Sequence, residues 1–192
     1  MKDEIKIEIK ILLQRFGFIV ICIAIVIILA KYIFSKGNLI LGAKDIFDIS
    51  LQSIDISTIF IVFYITYLWK YDPFVKIPKL NKEYHGKIQY DHKKGKGEKN
   101  VEIKIYQTLL TVKIKMESNE MKSVSLYGDI ILENGDYYLY YIYRTSPLAK
   151  YSDNNPIQIG ACRMDLEKVD NITGVYWSNR GTKGDIFWSK TK

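Results

Sequence analysis

The chain has 192 residues, 48% hydrophobic, 26% charged and 14% aromatic, with a formal net charge of +7. Residues 1–69 carry 7 Lys/Arg and 6 Asp/Glu, while 70–192 carry 21 and 15, so the excess basic charge lies in the C-terminal two-thirds and the long apolar runs in the first third. Two cysteines, Cys22 and Cys162, are too few for a disulfide framework, which excludes a small secreted domain.

The first predicted element is a transmembrane helix over about 12–34. Phe16–Ala30 holds fifteen residues without a charge, and the run continues past Lys31 to Phe34. At 1.5 Å per residue, nineteen residues span about 28 Å, close to the thickness of bilayer hydrocarbon. No small-residue cleavage site follows, as a signal peptide would require. A second span is predicted over 49–69, charge-free from Ile56 and ending in Tyr67 and Trp69, aromatics that settle at headgroup level. Residues 35–48, with Gly37, Asn38 and Gly42, form the connection. The N-terminal segment 1–71 is thus a transmembrane hairpin with both chain ends on one side. The lysines and arginine flanking its termini slightly outnumber those of the connection, which favours the cytoplasm for both.

If Arg15 and Trp69 share one interface, Lys31 lies about 24 Å and Asp55 about 21 Å along their helices from it. The two charges are expected to pair, lowering the cost of holding each in lipid.

A linker over 72–83, marked by Pro73 and Pro78, precedes a change of period. From Tyr84 onward apolar residues alternate, as in Val101, Ile103 and Ile105 against Glu102 and Lys104. Eight strands are predicted: 84–90, 99–107, 109–117, 122–132, 136–144, 156–166, 172–178 and 184–190. Turn residues separate them at Lys94-Gly95-Lys96-Gly97, Ser118-Asn119, Asn134-Gly135, Asp153-Asn154-Asn155-Pro156, Asp170-Asn171 and Arg180-Gly181-Thr182, with Asn134-Gly135 the strongest hairpin signal. Eight antiparallel strands in 84–192 suit a closed barrel or a sandwich. A barrel of that size has room for its own side chains or one small ligand.

Catalytic motifs are missing. His85 and His92 are the only histidines, and with two separated cysteines they give no metal-ligand spacing. No nucleophile elbow, phosphate loop or zinc-protease motif occurs, so the protein is not expected to be an enzyme. Tyrosine is the conspicuous residue. Tyr137, Tyr138, Tyr140, Tyr141 and Tyr143 fall within seven positions, and Tyr176, Trp177 and Arg180 lie near the C-terminus. Strand geometry turns Tyr137, Tyr141 and Tyr143 to one face and Tyr138, Tyr140 and Arg144 to the other. Such density builds either barrel core and outer girdle, or a pocket in which rings stack on bases and arginine meets phosphate. The basic charge of the same region fits an anionic ligand, or equally a position near anionic lipid.

Several segments together resemble the CD-NTase-associated protein 15 family, membrane effectors of bacterial CBASS anti-phage defence. They are Tyr84-His85-Gly86, Gln107 with the alternation after it, Leu139-Tyr140-Tyr141-Ile142-Tyr143 with Pro147, Gly160-Ala161, and Gly174-Val175-Tyr176-Trp177-Ser178-Asn179-Arg180 with Thr182 and Gly184. The last of these is the most specific, and the two-helix topology matches along the chain. The resemblance implies a transmembrane hairpin followed by a small eight-stranded antiparallel β-barrel in the bacterial inner membrane. It also implies that the barrel binds a cyclic dinucleotide made by a CD-NTase, with no other cofactor, and that binding drives self-association of the hairpins and membrane disruption. Ligand contacts are then expected from Tyr141, Tyr143 and Tyr176 as stacking surfaces, Arg180 on phosphate, and Gln107, Ser125 and Thr182 on base edges. The rival reading is a membrane-tethered barrel that carries a lipid or apolar ligand, or serves as an interaction module. A weaker third is a constitutive membrane toxin.

Overall fold

The computed structural model describes residues 2–34, 42–92, 95–151 and 156–191, with the side chains of 2–12 and 92 excepted. Of the turns expected above, Lys94 and 153–155 lie outside the described residues, as do residues 35–41 of the 35–48 connection. The chain forms two compact units, Met1–Leu68 and Trp69–Lys192.

The first unit is two helices. Helix α1 runs from Lys2 to Phe34 and α2 from Ala43 to Thr66. Their apolar portions, Leu13–Phe34 and Ala43–Thr66, are both long enough to cross a bilayer. Helix α2 begins six residues before its expected start and ends three before its expected end. Asp45 explains the early start: its carboxylate accepts a hydrogen bond from Gly42 N at 3.0 Å and sits in the first turn, where a negative charge meets the helix dipole. At the other end Leu68–Tyr71 tightens into a short 3-10 turn. Ile49, Ser53 and Ser57, on successive turns of α2, are its buried residues. The serine hydroxyls donate to the carbonyl oxygens of Ile49 and Ser53, at 2.6 and 2.5 Å. Ser50, Thr58 and Thr66 make the same i−4 bond, so each of these hydroxyls is satisfied within its own helix, as an apolar solvent demands.

The expected Lys31–Asp55 ion pair is not formed among the described residues, where Lys31 is half-buried and Asp55 exposed. Helix α2 buries Ile49, Ser53 and Ser57, and Asp55, two positions past Ser53, is turned about 200° away onto the exposed side.

The second unit is a closed barrel in which each strand pairs antiparallel with its neighbours in sequence and β8 returns to β1. The strands are β1 Glu83–His92, β2 Gly95–Gln107, β3 Val112–Glu117, β4 Met121–Glu133, β5 Asp136–Pro147, β6 Gln158–Asp165, β7 Asn171–Ser178 and β8 Lys183–Lys190. All eight expected strands are present. The Asn134-Gly135 loop joins Glu133 to its partner Asp136 with φ of 53° and 97° at the two turn residues, the positive values that a type I′ hairpin needs. One irregularity interrupts the alternation. Between the pairs Ser125↔Tyr143 and Tyr127↔Ile142, β4 bulges by one residue, leaving Leu126 and Tyr127 side by side on the outside. Past the bulge, Gly128 and Ile130 resume the inward face.

The core fills one half of this barrel. Ile103, Leu139, Met164, Ile172, Ile186 and Trp188 are almost wholly buried, and Leu80 and Leu166 cap the end from which the chain enters. Tyr84 stacks at a tilt on Trp188 (5.9 Å between centroids), Trp188 on Tyr141 (6.2 Å) and Tyr141 on Tyr143 (6.2 Å), an aromatic series along the interior.

Candidate ligand-binding site

The other half of the barrel is open. A cavity of about 460 Å³ lies within it, of the size that holds a small ligand. Every strand contributes to its lining, always from the same end: Ile88 and Tyr90 of β1, Lys99 and Val101 of β2, Met116 of β3, Ser123 of β4, Tyr143 and Thr145 of β5, Gln158 and Cys162 of β6, Tyr176 of β7 and Ile186 of β8. Two turns complete the rim, with Ser118 and Glu120 from β3–β4 and Arg180 and Thr182 from β7–β8.

The floor is aromatic and neutral. Burial pushes the Tyr143 and Tyr176 hydroxyls well above the usual tyrosine range and the Cys162 thiol up to about 12, so all three stay protonated near neutrality. Room for Tyr143 comes from its cross-strand partner Gly160, where a Cβ would overlap the tyrosine hydroxyl and the Trp177 carbonyl oxygen. Above it, the Thr145 and Ser123 hydroxyls are hydrogen-bonded at 3.2 Å.

The rim is charged. Lys96 is 3.3 Å from Asp91, and Lys99 pairs with Glu120 while its ammonium stands 5.6 Å from the Tyr90 ring centroid. Arg180 projects from a tight turn closed by Ser178 N to Thr182 O (2.9 Å) and Gly181 N to Ser178 O (3.0 Å), with Gly181 at φ 72°. The residue before Arg180 locks that turn to β6: Asn179 N donates to Ile159 O at 2.8 Å, and Asn179 Oδ1 accepts from Ile159 N at 3.1 Å. Among the described residues the Arg180 guanidinium has no ion-pair partner. The arrangement offers stacking surfaces below, hydroxyl and amide groups at mid-height, and cations at the mouth.

Of the seven residues expected to meet ligand, Tyr143, Tyr176, Arg180 and Thr182 line this cavity. The other three lie elsewhere. Gln107 is at the opposite, capped end, with its side-chain amide bonded to Leu80 N and Pro78 O at 2.9 and 2.8 Å. Ser125 stands beside the bulge, where its hydroxyl accepts from Ile114 N at 2.8 Å and replaces a ladder bond. Tyr141 sits one step below the floor, against Cys162, and is almost wholly buried. The outward tyrosines Tyr138 and Tyr140 are engaged on the surface: Arg163 lies 3.8 Å over the Tyr138 ring and donates to the Tyr140 hydroxyl at 2.9 Å.

Lys96, Lys99, Glu120, Ser123, Thr145 and Gln158 were missed from sequence. The signal was there for two of them, since Ser123 and Thr145 are the next inward positions from Ser125 and Tyr143 toward the strand ends.

Residues 75–190 match the family model described as Cap15, cyclic dinucleotide receptor domain. A Staphylococcus schleiferi protein named CD-NTase-associated protein 15 is 35% identical over 148 residues, covering 76% of this chain and 80% of that one. The family match takes in all eight strands and both turns at the cavity mouth, and the chain belongs to the Cap15 family of cyclic dinucleotide receptor domains.

Proposed function

We propose that the open half of the barrel is where this protein takes a cyclic dinucleotide, as a sensor rather than a catalyst, and that it serves as a CBASS effector. The observation that carries the reading is the layering of the cavity: tyrosines at the floor beneath an arginine and two lysines at the mouth. Rings of Tyr143 and Tyr176 suit base faces, which stack without regard to base identity. Arg180, whose guanidinium has no ion-pair partner among the described residues, suits a phosphodiester. The apolar-ligand alternative fits less well, because hydroxyl, amide and charged groups gather at the mid-height and mouth of the cavity.

On this reading the barrel and both termini face the cytoplasm and the two apolar helices span the inner membrane. Ligand favours an associated form of the protein over the single copy, and a messenger can shift that equilibrium only by binding the associated form better. Clustered hairpins then breach the bilayer. Calorimetry on the full chain in detergent, with a panel of cyclic dinucleotides, tests the binding step. Arg180→Ala is expected to weaken binding tenfold or more while leaving barrel melting unchanged; intact binding would remove Arg180 from the site. Membrane leakage in bacteria with and without a co-expressed cyclic-dinucleotide synthase tests the rest. Leakage that ignores the synthase would favour a constitutive toxin, and none in either condition a carrier or scaffold.

A further inference from the structure

One group at the cavity mouth has the wrong charge for an anion site. Glu120 lines it together with Lys96, Lys99 and Arg180. Its carboxylate pairs with the Lys99 ammonium, the two side chains being only 35% and 30% exposed. Neither partner is free to drift. Glu120 lies in the β3–β4 turn, where its N–H donates to Ser118 Oγ at 3.3 Å and its carbonyl accepts from Leu148 N at 2.9 Å. Lys99 leaves β2 and passes over the Tyr90 ring, 5.6 Å from its centroid. The turn therefore holds a carboxylate where the cavity presents one of its three cations.

We infer that Glu120 is the resident anion of this cavity: its carboxylate holds Lys99, an incoming phosphate must compete for the same ammonium, and the residue thereby sets the affinity for anionic ligand. The alternative chemistry for a carboxylate in such a place is to accept hydrogen bonds from a base, for which the paired N–H donors of guanine would be the best match. Competition is favoured because the carboxylate is already engaged by a cation that suits phosphate. This inference rests on the cavity being an anion site, as proposed above.

The test uses the full chain in detergent and the variants Glu120→Gln, Lys99→Gln and the double substitution. Glutamine keeps the size of the side chain and the backbone ties of the turn. The probes are cyclic di-GMP, cyclic di-AMP, cyclic di-UMP and inorganic pyrophosphate. Glu120→Gln is expected to tighten binding of every probe by about three- to tenfold, the effect of one part-shielded ion pair. Salt should weaken binding more steeply in Glu120→Gln than in the native chain, since the unpaired Lys99 ammonium is then screened by mobile ions instead of being held by a carboxylate. Lys99→Gln should cost more affinity in the Glu120→Gln background than in the native chain.

Unchanged or weaker binding in Glu120→Gln overturns the inference, and weakening confined to cyclic di-GMP would make Glu120 a base-reading residue instead. An equal cost of Lys99→Gln in both backgrounds would reduce Glu120 to a distant field. If pyrophosphate shows the expected pattern while no dinucleotide binds the native chain, the proposed function fails and the resident anion stands. If no probe binds any variant, both fail.

Discussion

Gln107 and Leu80 are joined by a hydrogen bond of 2.9 Å from backbone N–H to side-chain oxygen, across twenty-seven residues of chain. The same amide donates to Pro78 O at 2.8 Å, so one buried side chain fastens the entering segment over the end of the barrel. Removal of that side chain strands a buried N–H and a carbonyl. Gln107→Ala is expected to destabilise the barrel by about 1–3 kcal/mol. It should leave the affinity for ligand unchanged below the melting range, because the cavity opens at the opposite end. Denaturant titration and calorimetry on the same preparation separate the two effects. A loss of affinity without a loss of stability would place Gln107 in the site after all.

Gly160 and Tyr143 make the opposite kind of pair, one whose contact permits no added atom. A Cβ at Gly160 meets both the tyrosine hydroxyl and the Trp177 carbonyl oxygen, and the second cannot swing aside. Gly160→Ala should cost about 1–3 kcal/mol through overpacking. It should also shift Tyr143 within the floor, read as lower ligand affinity in whatever fraction remains folded. A fully stable Gly160→Ala protein with native affinity would show that β6 and β7 can spread at no cost.

Alkaline pH should unfold the barrel earlier than its fold alone suggests. Burial raises the Tyr141, Tyr143, Tyr176 and Cys162 ionisations in the folded state above their ordinary values of 10 for tyrosine and 9 for cysteine. A raised folded-state value means that the stabilisation is complete below the unfolded value and is lost as pH climbs past it. The loss should begin near pH 9 and continue through about 12, reaching roughly 1 kcal/mol per buried tyrosine at about pH 11. Tyr143→Phe should flatten the dependence, as measured by denaturation midpoints at several pH values. By the same burial Cys162 should react with iodoacetamide at about pH 8 far more slowly than an ordinary thiol.

Helix packing in the first unit has its own test. Ser53 and Ser57 are fully buried on α2, one helical turn apart. Ser53→Leu should push the two helices apart and lower the thermal stability of the hairpin in detergent. Ser50→Leu, on the exposed side of the same helix, should be nearly neutral. Equal effects of the two substitutions would mean that these serines do not face α1.

Much of the architecture was legible in the residues alone. Apolar runs about as long as bilayer hydrocarbon is thick leave little alternative to helix, and alternation of period two over short stretches marked all eight strands. The same alternation set Tyr143 on one face and Tyr138 and Tyr140 on the other, because successive side chains on a strand must point opposite ways. Asn134-Gly135 fixed a hairpin through backbone freedom that few other residues have. What alternation carries is inward or outward, however, and never height along the barrel axis. Height depends on register and on which end the entering chain caps, and both follow from contacts between residues far apart in sequence. Only the tertiary structure could therefore place Gln107 under the cap, Ser125 at a bulge and Lys99 with Glu120 at the mouth.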